Sequence, residues 1–273
     1  MKKLAYVVTA ISLFTVDVKA DTVGLFLGGQ IWKNEASGVF GEQSKLIDFN
    51  LEKEQQINYY AAVEHPFPWL PNARISTTTL DTSGSSTLTQ DFSFGGKVFS
   101  INDDVTANFN VNYIDYTLYY ELFDNDLFSI DLGLTARDFD GDITVKGLTT
   151  IDDGTCNDPN PSPDSPCTGE GNSNTLVGKI KTNKIEPMLY VATNINLPLT
   201  GLSAFAQGDF LFVDEHSLSD YQAGLSFKFV DNKAVDLNFT LGYRIIKMEF
   251  EDLSNLYTDL EFKGAFAGVS AHF

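Results

Sequence analysis

Along most of this chain apolar residues recur at every second position. In 110–122, Ile114, Tyr116, Leu118, Tyr120 and Leu122 alternate with Asp115, Thr117, Tyr119 and Glu121. In 127–145, Phe128, Ile130, Leu132, Leu134 and Ala136 alternate with Ser129, Asp131, Gly133, Thr135 and Arg137. In 235–250, Val235, Leu237, Phe239, Leu241, Tyr243 and Ile245 alternate with Asp236, Asn238, Thr240, Gly242 and Arg244. A period of two places the sets on opposite faces of a strand. The same reading predicts strands over 22–32, 56–64, 73–82, 179–197, 202–213, 220–229 and 257–273, ten in all, with 56–64 and 73–82 weak enough to allow eight. Pro187, inside 179–197, predicts a bulge or a position outside the ladder. A small hairpin turned by Gly95-Gly96 is expected over 92–99.

The connections alternate too. Tight or proline-rich ones (65–72, 123–126, 198–201, 230–234) take turns with mostly longer polar ones (33–55, 83–105, 146–178, 214–219, 251–256). Short turns at one end and longer loops at the other are the habit of transmembrane barrels, and about ten alternating residues span a bilayer. The expected fold is therefore all-β: a closed antiparallel transmembrane β-barrel with short periplasmic turns and longer extracellular loops. A secreted β-sandwich or soluble lipid-binding barrel is the alternative, because parity alone does not separate them.

The N-terminal residues set the compartment. Lys2 and Lys3 precede an apolar run from Leu4 to Phe14, and Val18 and Ala20 sit at −3 and −1 of a cleavage before Asp21. This order reads as a secretory signal peptide over 1–20, leaving 21–273 as one barrel domain. No later apolar run approaches the roughly twenty residues of a spanning helix. The net charge of −19 argues against nucleic acid as a partner, since phosphate is met by Lys and Arg patches. The 22 Phe and 11 Tyr suit strands and membrane interfaces; Trp32 and Trp69 are expected in the outer and periplasmic aromatic girdles.

The last stretch, 257–273, alternates to its end on Phe273, and resembles the closing strand of bacterial outer-membrane barrels, whose terminal aromatic is an insertion signal. Further features resemble a family of proteobacterial outer-membrane β-barrels named for its Gly-Gly element. These are Val23-Gly24 through Gly28-Gly29 with Trp32, Thr117-Leu118-Tyr119-Tyr120-Glu121-Leu122, and Leu132-Gly133-Leu134-Thr135-Ala136-Arg137 followed by Phe139-Asp140-Gly141. The resemblance implies location in the outer membrane of a Gram-negative bacterium. It also implies barrel-insertion machinery and periplasmic chaperones as partners during biogenesis, and outer-membrane lipids and lipopolysaccharide afterwards. It brings no catalytic residues, because the family has no established activity.

Candidate chemistry is sparse. Cys156 and Cys167 fall in one proline-rich loop, where an oxidising compartment favours a disulfide. Asp138, Asp140 and Asp142 offer carboxylate oxygens to Ca²⁺ or Mg²⁺, although a solvated acidic rim is the simpler reading; no other cofactor is implied. His216 stands beside Asp214, Glu215 and Ser217, while His65 and His272 lie at the periplasmic end. On lumen parity lie Asp115, Glu121, Asp131, Arg137, Asp236 and Arg244, together with Gly133, Gly224, Gly242, Gly264 and Gly268, which relieve crowding in a curved wall. A ten-stranded barrel with Tyr60, Tyr119, Arg137, Tyr190, Arg244 and Phe262 pointing inward is expected to be largely plugged. That predicts a non-enzymatic barrel with a structural or surface-interaction role. The alternative is a narrow pore for small cationic solutes lined by Asp115, Glu121, Asp131 and Asp236; a lipid-modifying or proteolytic enzyme using His216 comes third.

Overall fold

The computed structural model describes residues 23–42, 45–125, 127–151, 172–213, 216–232, 234–253 and 255–273. The signal peptide and both cysteines expected from the sequence lie outside them. Thirteen strands follow one another: β1 (Gly24–Glu42), β2 (Lys45–Ile47), β3 (Lys53–Glu64), β4 (Asn72–Thr87), β5 (Phe92–Phe94), β6 (Lys97–Phe99), β7 (Asp104–Asp124), β8 (Phe128–Ile151), β9 (Asn172–Leu197), β10 (Leu202–Val213), β11 (His216–Asp231), β12 (Asp236–Leu253) and β13 (Leu256–His272). Ten of these form an antiparallel sheet in the order β1-β3-β4-β7-β8-β9-β10-β11-β12-β13, and β13 pairs back onto β1. The closing ladder is long, from Phe26 opposite His272 to Glu42 opposite Leu256. Closure removes both sheet edges. The ten-stranded transmembrane barrel expected from the alternation is the fold.

The strands are longer than their apolar alternation suggested. β8 has 24 residues and β9 has 26, more than twice what a bilayer requires. The reason is a change of phase within single strands. In β7, Asp115, Thr117 and Tyr119 point inward along the lower half, while Ile114, Tyr116, Leu118 and Tyr120 point out. Above Tyr113 the faces exchange character: Val105, Ala107, Phe109 and Val111 are buried inside, and Thr106, Asn108, Asn110 and Asn112 are exposed outside. In β8, Leu132, Leu134 and Ala136 give way on the exterior to Asp138, Asp140 and Asp142, as Thr135 and Arg137 give way inside to Phe139, Ile143 and Val145. In β13 the exterior changes between Ala265 and Lys263, while inside Ser270 and Gly268 give way to Phe266, Phe262 and Leu260. The lower half thus carries the inside-polar pattern that hydrocarbon imposes, and the upper half the inside-apolar pattern that water imposes. Of the stretches expected as loops, 33–42, 45–47, 53–55, 83–87, 104–105, 146–151 and 172–178 belong to strands, and their polar residues contribute to the wetted outer face of the upper half.

That upper half has its own core. Phe40 of β1 stacks on Phe49 at 4.6 Å and meets Phe94 and Phe109 edge-on or tilted at 6.1 and 5.9 Å. Phe92, Phe94 and Phe99 reach it from the β5–β6 hairpin and are fully buried. The hairpin turns at Gly95 and Gly96, with φ of 57° and 70°, the left-handed values that a two-residue hairpin of this kind requires. A Cβ on Gly95 would collide with the backbone of Lys179, whereas one on Gly96 would meet nothing within 4 Å. Gly96→Ala should therefore cost only the left-handed penalty, about 1 kcal/mol, and Gly95→Ala should undock the hairpin. Trypsin cleavage after Lys97 checks this, fast in Gly95→Ala and near wild type in Gly96→Ala.

Pro187 sits opposite Ala136 of β8 without any break in register. The β9–β10 ladder, by contrast, ends at Leu189 opposite Phe210. The proline thus lies where β9 has no partner on that side and no ladder bond is lost.

Candidate functional site: the charged plug of the lumen

Where the phase changes, the lumen is crossed by a network of buried charges. Arg137 of β8 is fully buried and forks onto Asp115 of β7, Nε donating to Oδ1 at 2.7 Å and Nη2 to Oδ2 at 2.9 Å. Its Nη2 also donates to Asp220 of β11 at 2.8 Å. Arg244 of β12 forks onto the same Asp220, Nε to Oδ1 at 2.8 Å and Nη2 to Oδ2 at 2.7 Å. Asp220 thereby joins opposite walls of the barrel through two guanidinium groups. Tyr113 tightens the knot, its hydroxyl donating to Asp220 at 2.9 Å and accepting from Arg244 at 3.0 Å, while its ring lies 3.9 Å from the Arg137 guanidinium. Thr135 donates to Asp209 of β10 at 2.5 Å and pairs with Thr117 at 2.8 Å.

Charge-assisted bidentate bonds of this kind are short and directional. Taking such groups out of water costs several kcal/mol per ion, which only multiple well-formed bonds offset. The space enclosed by Gln30, Asn58, Arg74, Gln207, Gln222 and the charged side chains is about 20 Å³, room for about one water. A larger concavity, about 1030 Å³, lies on the exterior wall among Ala61, Ile75, Leu118, Leu134 and Leu189, a surface that faces lipid.

Below the knot a second polar layer fills the lumen. Tyr119 donates to Glu64 at 2.8 Å and its ring lies 5.5 Å from that of Tyr190. Arg74 sits 3.9 Å over the Tyr60 ring. Asp131 is opposite Glu121 in register, beside the bulge between Glu121 and Phe123. Asp236 is held by Lys228 at 3.1 Å, and His272 stacks on Phe26 at 4.1 Å. Above the knot comes the aromatic core.

The six charged residues assigned to the lumen by parity do point inward, but they do not line one path. Asp115, Arg137 and Arg244 bond to one another's partners at the knot, whereas Glu121, Asp131 and Asp236 belong to the periplasmic mouth. Asp220 and Asp209, which complete the knot, escaped the sequence reading. Both continue the inward sets of their strands by one alternation, Asp220 before Gln222 and Asp209 after Gln207, and that parity was the available signal. The inward glycines do relieve crowding: a Cβ on Gly264 would strike the Lys33 carbonyl, and one on Gly242 the Phe266 ring and the Ala223 carbonyl.

One expectation needs correction. Trp32 is not in the outer girdle; it is 1 % exposed, its indole N–H donates to the Gly264 carbonyl at 3.0 Å, and Arg244 lies 5.2 Å from its ring. Its inward parity outweighs its interfacial preference. Trp69, 85 % exposed in the turn after β3, stands where expected. Asp138, Asp140 and Asp142 are spread along the exterior of β8. They occupy successive exterior positions of one strand, about 7 Å apart; Asp142 pairs with Lys179, and no group of three metal-ligating side chains converges among the described residues. His216 packs against the Phe250 ring at 6.0 Å, and its Nδ1 has no hydrogen-bond partner among the described residues.

No protein-family model matches the chain, and no curated protein does. Among solved structures it is similar to the outer membrane protease OmpT of Escherichia coli, at 7 % identity and a TM-score of 0.47 over 95 % of this chain and 99 % of that one. It is also similar to a Pseudomonas aeruginosa FadL homologue, at 9 % identity and a TM-score of 0.33 over 93 % and 90 %. A third is Ail of Yersinia pestis, at 11 % identity and a TM-score of 0.29 over 93 % and 99 %. These likenesses carry no residue roles onto this chain.

Proposed function

We propose that this protein is an integral barrel of a Gram-negative outer membrane, without catalytic activity and closed to solutes, whose role is structural and surface-presenting. The observation that carries this reading is the double closure of the lumen: the Arg137–Asp115–Asp220–Arg244 knot at mid-height and the Phe40–Phe49–Phe92–Phe94–Phe99 core above it. A path for ions would have to break both, and the two layers fail under different perturbations. In this reading the extramembrane half is a rigid, water-facing platform, and lipopolysaccharide is its neighbour. The purified barrel, reconstituted into planar bilayers at neutral pH and moderate salt, should show no steady single-channel conductance. Reproducible steps with cation preference would instead favour a narrow acidic pore.

A further inference from the structure

The upper rim of the barrel is stepped. The β4–β7 ladder ends at Thr87 opposite Asp104, and the β7–β8 ladder begins at Val105 opposite Gly147. The β8–β9 ladder runs past that level, to Ile151 opposite Asn172. Between the ends of β4 and β7 and the projecting arm of β8 and β9 lies a concavity of about 760 Å³, the size of a small-molecule site. Asn50 borders it on the β4 side, its side-chain N–H donating to the Ser85 carbonyl at 3.1 Å. The chain there is pressed onto β4 so closely that a Cβ on Gly84 would strike the Phe49 carbonyl.

Hydroxyls dominate its polar lining. Ser85, Ser86, Thr87, Thr106 and Thr175 each bring one, and only that of Thr87 is engaged, donating to Asp104 at 2.6 Å. The other four have no partner among the described residues. Asp104 and Lys146 are the two charged residues of the lining, and they offset each other in a chain of net charge −19. Asp48 and Asp103 are close in sequence but do not line it; they accept from the backbone N–H groups of Asn50 and Ser100, both at 2.8 Å. Leu148, 61 % exposed, supplies an apolar patch. A hydroxyl both donates and accepts, so this lining suits a ligand whose own groups do both. A net charge on the ligand would gain little between Asp104 and Lys146. Lys146 stands eight residues above Asp138, where the exterior of β8 turns polar. At about 3.3 Å per residue on strands tilted by about 40°, that is roughly 20 Å. Head groups reach only about 5–8 Å beyond the hydrocarbon, so a ligand at the step arrives from the medium.

We propose that this step binds a short neutral saccharide from the medium, with Ser85, Thr106 and Thr175 bonding its hydroxyls and Leu148 covering its C–H face. The proposal rests on the functional reading above in needing the upper half to stand in water, and is independent of whether the lumen conducts.

Saturation-transfer NMR on the full barrel in phosphocholine micelles tests it, because that detergent brings no sugar of its own. The probes are maltotriose, cellotriose and diacetylchitobiose, which differ in linkage and substituent. Disaccharides bearing glucuronate or glucosamine serve as charged counterparts. Wild type should bind at least one neutral probe, and more tightly than either counterpart. One hydrogen bond is worth about fivefold in affinity, so Ser85→Ala/Thr106→Val, which removes two hydroxyls from exposed strand positions, should weaken that probe more than tenfold. The control Asn112→Ala, lower on the exterior of β7, should match wild type. Heat-shifted gel mobility certifies folding, and if the double variant does not fold, Thr106→Val alone should show about a fivefold loss. Silence from every neutral probe, tighter binding of a charged counterpart, unchanged binding in the hydroxyl variant or equal loss in the control would each overturn it. Conductance recorded on the same wild-type sample bears on the closed lumen alone, so the two readings fail separately.

Discussion

Arg137→Met should lower the unfolding free energy of the vesicle-folded barrel by about 3–5 kcal/mol, read from the urea midpoint and slope. Arg137 makes three charge-assisted bonds to two carboxylates, and its side chain is fully buried. Methionine fills much of the volume but leaves Asp115 without a cation in a site closed to water. Asp220 fares better, because Arg244 and Tyr113 still hold it. The compensating test follows from that difference. Arg137→Met/Asp115→Leu removes charge and counter-charge together and should recover stability to within about 2 kcal/mol of wild type, since a buried ion pair roughly breaks even against an apolar pair of similar shape. A single variant within 1 kcal/mol of wild type would show that water reaches the knot. Neither variant should conduct, because the aromatic layer above remains in place.

Phe40→Ala should cost about 3–5 kcal/mol, but locally. Its ring touches Phe49, Phe94 and Phe109, which come from three separate segments of the upper half. Its removal leaves a cavity that the tightly laddered β1 cannot collapse to fill. The membrane-embedded strands do not share this core, so they should keep their protection. Hydrogen exchange followed by peptide mass analysis should show accelerated exchange in the β5–β6 hairpin and the top of β4 and β7, with β8 below Arg137 unchanged. Uniform acceleration along β7 and β8 would mean that the two halves open as one cooperative unit.

The alternation that identifies the barrel was plain wherever apolar residues faced lipid: 110–122, 127–145, 235–250 and 257–273 each fall in a strand of the structure to within one residue at the ends. It faded wherever a strand left the membrane. There the outward residues became Asn108, Asn110, Asn112, Asp138 and Asp140, and polar composition resembles a loop. A period-two reading that follows only one apolar face stops at the phase change, although Val105, Ala107, Phe109 and Val111 continue the alternation on the other face. The knot was half legible for a different reason. Parity gives the direction of Asp115, Arg137 and Arg244, but partners are set by barrel register. Arg137 and Asp220 are 83 residues apart, and Tyr113 and Asp220 are 107 apart. No local spacing announces such pairs. Trp32 shows that direction outranks residue preference: an indole on an inward position is buried wherever its N–H finds a carbonyl.

The exchange of faces at Tyr113–Ile114 and Arg137–Asp138 also fixes how deep the molecule floats. If the barrel sank by one alternation, Asp138, Lys33 and Lys263 would press toward hydrocarbon. If it rose by one, Ile114, Ala136 and Ala265 would enter water. Charged side chains on the lipid face cost up to about 2–4 kcal/mol each, rising with depth, and each exposed apolar side chain forfeits about 1.5–3 kcal/mol of burial. Several strands switch at comparable height, so these penalties act together in both directions, and the protein carries its own waterline.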